Sequence, residues 1–184
     1  MAQDVIVEIK KIIEQLGDKF RKEKEMILTE HDLQWQICHC LENEKRKWDK
    51  EDKYSIHAEV SWYTENDKLG HKPDISLILK NDINGVGESG DFRFKGKDAI
   101  IIELKFFRGS SASSLMTKLN KKEIDEDIEK MSELKMLNGV SETNIQCILV
   151  VFYQNQRESE ELKKHITQKL KNENIPENFV LKGL

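Results

Sequence analysis

The sequence predicts an α/β fold: a central mixed sheet flanked by helices, with extra helices at the N- and C-terminal ends. Two observations carry this. Apolar residues recur at helical spacing near both ends and once in between, and the intervening stretches hold short, dense apolar runs separated by polar segments rich in glycine. The 184 residues, 38% of them hydrophobic, are enough for one cored domain over 1–184.

The elements follow in chain order. Val5, Ile9, Ile12, Ile13, Leu16 and Phe20 fall along one stripe, so 1–27 reads as an N-terminal amphipathic helix. Thr29 followed by Asp32 has the form of a capping box, and Leu33, Ile37 and Leu41 then repeat every fourth position, giving a second helix to about Trp48. Strands are expected at Ser55–Tyr63, at Pro73–Lys80 with proline in first position, and at Asp98–Phe107, paired as neighbours. The polar segments between them hold Gly70, Asn84, Gly85, Gly87, Gly90 and Gly96, and small polar residues at 109–114 favour a loop. Ile124, Ile128 and Met131 mark a helix, Gln146–Tyr153 a strand, and Leu162, Ile166 and Leu170 a helix within a C-terminal segment over 156–184, with a short strand around Phe179–Leu181. Ile100–Leu104 and Ile148–Phe152 are almost wholly apolar, as strands covered on both faces are, which makes them central. The helical crossover between them predicts a parallel, right-handed connection.

Composition narrows the function classes. No run of ~18 apolar residues is present, and the start MAQDVIVEIKK carries charges where a signal peptide would be apolar, so a cytoplasmic protein without membrane contact is expected. Three cysteines are too few for a disulfide framework. Thirty basic against 34 acidic residues give a net charge of −4, which argues against a uniformly basic nucleic-acid binder and leaves room for a local basic face.

The chemistry lies where strands carry acids. Glu-x-Lys is common here, since it begins at Glu8, Glu51, Glu133 and Glu161 as well as at Glu103, but only Glu103 and Lys105 interrupt a dense apolar strand. Residues two apart in a strand share a face, so acid and amine project together, with Ile102, Leu104 and Phe106 opposite. By the same logic Asp74 and Ser76 share one face and Ile75, Leu77 and Leu79 the other. If the two strands are neighbours in the right register, Asp74 approaches Glu103. Two such carboxylates repel unless a cation neutralises them, and a divalent metal is the natural cation.

Pro73-Asp74, a spacer and Glu103-Leu104-Lys105 on a hydrophobic strand resemble the signature of the PD-(D/E)xK, or restriction-endonuclease-like, superfamily, over a core of about 28–155. The resemblance implies an α-β-β-β-α-β core. It also implies magnesium, with manganese as a substitute, bound by Asp74, Glu103 and the backbone carbonyl of Leu104. Lys105 would orient or activate the attacking water. Magnesium takes oxygen ligands and retains waters, polarises the phosphate and lowers the pKa of its water. Lys105 either balances charge developing on the phosphate or serves as a base.

Further candidates are positional. Glu30 shares the core-directed face of Leu33 and Ile37, and families of this superfamily often carry an acid on the helix before the sheet; alternatively it stabilises the helix dipole. Glu59, sharing a strand face with His57 and Ser61, lines the same groove or faces solvent. Lys68, His71, Lys72, Arg108, Lys118, Lys121, Lys122 and Lys130 are candidates for phosphate contact. Cys38-His39-Cys40 with His31 is a weak zinc pattern, because successive helical ligands diverge. Trp35, Trp48 and Trp62 are read as core before base-stacking residues. Together these features predict a metal-dependent nuclease, with DNA favoured over RNA as substrate, in restriction, repair or defence. A non-catalytic subunit retaining the fold is the reading from another class. Cutting both strands of a duplex needs two sites, which a homodimer or a larger complex supplies.

Overall fold

The computed structural model describes residues 2–23, 29–63, 69–82, 98–107, 117–136, 144–154 and 159–184. Helix α1 (Ala2–Lys22) leads into α2 (Glu30–Asn43) and the short α3 (Lys45–Trp48). Then come β1 (Tyr54–Ala58), β2 (Trp62–Tyr63), β3 (Leu69–His71), β4 (Ile75–Leu79) with a 3-10 turn at Lys80–Asp82, and β5 (Asp98–Phe107). Helix α4 (Lys118–Met136), β6 (Asn144–Tyr153), α5 (Ser159–Asn172) and β7 (Phe179–Gly183) complete the order.

The main sheet is mixed, five-stranded and ordered β1-β4-β5-β6-β7. β1–β4 and β4–β5 are antiparallel, whereas β5–β6 and β6–β7 are parallel, so the two apolar strands expected at the centre are interior neighbours. The period-2 alternation divides the core in two. Ile75, Leu77, Ile100, Ile102, Leu104, Ile148, Val150 and Phe152 pack against α1 and α2 on one face. Ile78, Ala99, Ile101, Ile145, Cys147, Leu149 and Val151 pack against α4 and α5 on the other. Both terminal helices therefore belong to the packed layers. A Cβ on Gly17 would lie 2.6 Å from the Lys182 side chain and 3.3 Å from Phe152, so glycine is what lets α1 close onto β7.

Three local expectations are corrected. The helix begun at Thr29, whose hydroxyl accepts from Asp32 N–H at 3.0 Å, does not run unbroken to Trp48: it ends at Asn43, and a turn at Glu44 starts α3. The strand expected over Ser55–Tyr63 stops at Ala58, because Glu59 adopts φ 53°, the left-handed region that breaks a ladder. Beyond it, β2 joins β3 in a separate two-stranded sheet. Pro73 and Asp74 precede β4 rather than begin it. No helix among the described residues is long and apolar enough to cross a membrane.

Candidate active site

Elements from both helical layers meet at one end of the β4–β5 pair. The register sets Ile75 against Ile102, and one further step sets Asp74 across from Glu103. Opposed residues share a face, so the two acids are neighbours. The bend that carries Asp74 is pinned through its own carbonyl, which accepts Gln34 Nε2 at 2.6 Å and Glu59 N–H at 3.0 Å. Its carboxylate is fixed by the sheet edge: Leu104 N–H donates to Asp74 Oδ2 at 2.7 Å. A strand residue's N–H and C=O point to the same side, so the Leu104 carbonyl also faces the Asp74 side.

Glu103 is 4% exposed, and its Oε1 has no hydrogen-bond partner. Burial, reinforced by Asp74 and Asp127, pushes its carboxyl well above the usual range. Burial likewise raises Asp74, although the Leu104 amide and Lys105 pull it back. Lys105 lies on the same face, with its Nζ 3.0 Å from Asp127 Oδ2 and 3.6 Å from Glu30 Oε1. Burial alone would depress that amine, but the two carboxylates outweigh it and hold the pKa above the ordinary lysine value. Glu30, first residue of α2, also accepts Phe106 N–H at Oε2, 3.1 Å. Burial raises its pKa against the pull of Lys105.

Asp127 is the acid that the sequence reading missed. It is 1% exposed on α4 and also binds Lys130 Nζ at 2.8 Å. A signal was present: Asp127 lies three residues after Ile124 and four before Met131, within the core stripe of its helix. An acid on a buried helical face calls for a partner in the sheet beneath it.

The other candidates are placed differently. The Glu59 carboxylate is exposed and taken by Lys72 at 2.7 Å, which holds its pKa down. The basic side chains offered for phosphate contact largely have acidic partners: His71 meets Glu133 at 2.5 Å, Lys122 pairs with Glu126 at 3.3 Å and Lys130 with Asp127. Lys121 is half-buried on α4. Lys68, Arg108, the Lys118 side chain, the loop at 109–114 and the glycines at 85, 87, 90 and 96 lie outside the described residues. Cys38 and Cys40 pack against the apolar cluster, and burial pushes the Cys38 thiol up to about 11. His39 stacks on Trp35, so the cysteine-histidine run of α2 is not gathered for zinc.

Among the described residues, no group of three or more His, Cys, Asp and Glu side chains is arranged to hold a metal ion. The residues nevertheless fit a cation with a small protein ligand set. A buried carboxylate with an unpaired oxygen faces a second carboxylate, and burial raises the pKa of both, with Asp74 and Asp127 adding to the rise at Glu103, a direction that a bound cation would reverse. Comparison with protein-family models, curated proteins and solved structures finds no match to this chain.

Proposed function

We propose that this protein is a metal-dependent phosphodiesterase acting on nucleic acid. The observation that carries the reading is Glu103: a buried carboxylate with an unpaired oxygen, opposite Asp74 and two residues from a lysine that two other acids hold. Such an arrangement costs stability unless a ligand returns it. Within the five-stranded sheet, the antiparallel strands β1, β4 and β5, the helix α4 and the parallel strand β6 follow one another in the chain order of a PD-(D/E)xK core, with the separate β2–β3 pair inserted between β1 and β4, and this supports the resemblance.

In this reading Asp74, Glu103 and the Leu104 carbonyl would hold magnesium. When bound, the ion polarises the phosphate and activates water. Asp74 is pre-set for this task by the Leu104 amide, whereas burial disfavours the charged form of Glu103, a cost that a bound cation would offset. Lys105, kept as an ammonium by Asp127 and Glu30, lies beside the acids as a fixed positive charge for the phosphate oxygens. This favours an electrostatic role over a basic one. Glu30 and Asp127 act on Lys105 as positioning residues.

DNA remains the favoured substrate and RNA the alternative. Incubation of labelled DNA and RNA with magnesium and manganese tests the proposal: wild type should cleave at least one, and Asp74→Asn should not. A second reading, a non-catalytic interaction subunit, is favoured by the acidic partners on His71, Lys72, Lys122 and Lys130. Equal inertness of wild type and variant on every substrate would select it.

A further inference from the structure

Helix α2 presents two different faces. Trp35 is 60% exposed on the outer one, whereas Trp48 and Trp62 are buried in the core. Gln34, the residue before Trp35, faces inward with Leu33, Ile37 and Leu41 and is 5% exposed. An amide within an apolar stripe costs stability unless it is hydrogen-bonded. Its partner is not local: Gln34 Nε2 donates to the Asp74 carbonyl, 40 residues away, at 2.6 Å. A carbonyl can only accept, so the nitrogen is the atom of the amide that faces it.

That bond is redundant for the carbonyl but not for the bend that carries it. The same oxygen already accepts Glu59 N–H at 3.0 Å, and one donor is enough to satisfy a carbonyl. The bend has few other anchors. β4 begins at Ile75, whose partners Ala58 and Ile102 are the last paired residues of their ladders at this end, and Pro73 has no N–H to donate. Helix α2 supplies an anchor from a rigid element. One turn before Gln34, Glu30 accepts Phe106 N–H at 3.1 Å and lies 3.6 Å from Lys105 Nζ. One helix therefore holds both the lead into β4 and the end of β5, so the placement of Asp74 relative to Glu103 is referenced to a single rod.

We propose that Gln34 is a positioning residue: by fixing the Asp74 main chain, it keeps the Asp74 carboxylate aimed at the cation site that Asp74 shares with Glu103. Leu104 N–H, 2.7 Å from Asp74 Oδ2, is the other half of the grip. With carbonyl and carboxylate both held, the ligand oxygens are in place before a cation arrives, which spares the cost of ordering them on binding. This inference rests on the phosphodiesterase reading and adds a residue to its site.

The test is Gln34→Met, which keeps the length of the side chain and removes its donor. In the metal-free protein, amide exchange followed by NMR should show Leu104 N–H losing protection by about 2- to 10-fold, the worth of one hydrogen bond, as Asp74 Oδ2 drifts from it. Phe106 N–H, bonded to Glu30 on the same helix, should keep its protection. Manganese binding, followed by electron paramagnetic resonance, should weaken about 10- to 100-fold. In an Asp74→Ala background the same substitution should weaken it no further, because Gln34 acts through Asp74. The thermal midpoint should move by no more than about 4 °C. Leu104 protection and manganese affinity both unchanged in Gln34→Met would overturn the positioning role and leave the phosphodiesterase reading standing. A wild type that binds no divalent cation would overturn both. Loss of the fold in Gln34→Met and Gln34→Leu alike would make the bond a structural one and overturn the inference.

Discussion

β5 and β6 run parallel and in register over ten residues, between the same two helical layers. At the register positions where β6 places Leu149 and Val151 against α4 and α5, β5 places Glu103 and Lys105. The backbone geometry is alike, and the energetics are opposed. Each apolar side chain in β6 gains about 1.5–3 kcal/mol from burial. Glu103 and Lys105 must instead be desolvated, at a cost that their mutual neighbours offset only in part. The difference is the physical ground for the proposed site, since burying these charges does not serve stability alone.

The largest test of this contrast acts on activity. Glu103→Gln or Asp74→Asn should lower magnesium-dependent cleavage at least about a thousandfold, with circular dichroism and cooperative unfolding retained. Rewriting β5 as β6, with Glu103→Leu and Lys105→Val together, should abolish cleavage as well; a variant that still cuts would remove both residues from the chemistry.

Next in size is the acid that α4 contributes. Asp127→Ala leaves Lys105 without its nearest carboxylate and should cost about 3 kcal/mol in urea unfolding, the low end for a broken buried pair because water reaches part of Lys105 and Lys130. In the Lys105→Val background the loss should shrink, which a double-mutant cycle would reveal.

A smaller effect concerns pH. The Glu103 carboxyl is raised above its ordinary value of 4.5 by burial first, then by Asp74 and Asp127. A raised acid binds its proton more tightly in the folded state. Its stabilisation is therefore complete below the ordinary value and is withdrawn as pH rises toward the folded pKa, at about 1.4 kcal/mol per pH unit. Asp74 and Glu30 shift in the same direction and steepen the slope. The metal-free protein should lose melting temperature from pH 5 upward, and Glu103→Gln should flatten that decline. Magnesium should stabilise most at the alkaline end; a magnesium effect independent of pH would count against Glu103 as a ligand.

The smallest expected effect belongs to the surface. Lys122 is exposed and paired with Glu126, so Lys122→Ala should move the melting temperature by less than about 2 °C and leave cleavage within twofold.

Much of this contrast was legible beforehand because it is local. Helical and strand periodicity identified the elements, and the two-residue repeat put Glu103 and Lys105 on one face. Glu30 was reachable for the same reason, as an acid on a core-directed helical face. Glu59 was not, since a single left-handed φ turned the chain out of the strand where alternation had placed it. Nor was the pairing of His71, whose partner Glu133 lies 62 residues away.

By itself, then, the sequence determined the element types, the two central strands and the pair of charges set into one of them, because hydrophobic periodicity is a property of neighbours along the chain. Tertiary structure alone decided which acid meets Lys105, which cations are already paired and which tryptophan stays in water. Those outcomes depend on how helices from distant segments seat on the sheet, and the energy of a charge depends on what packing brings within a few ångströms of it.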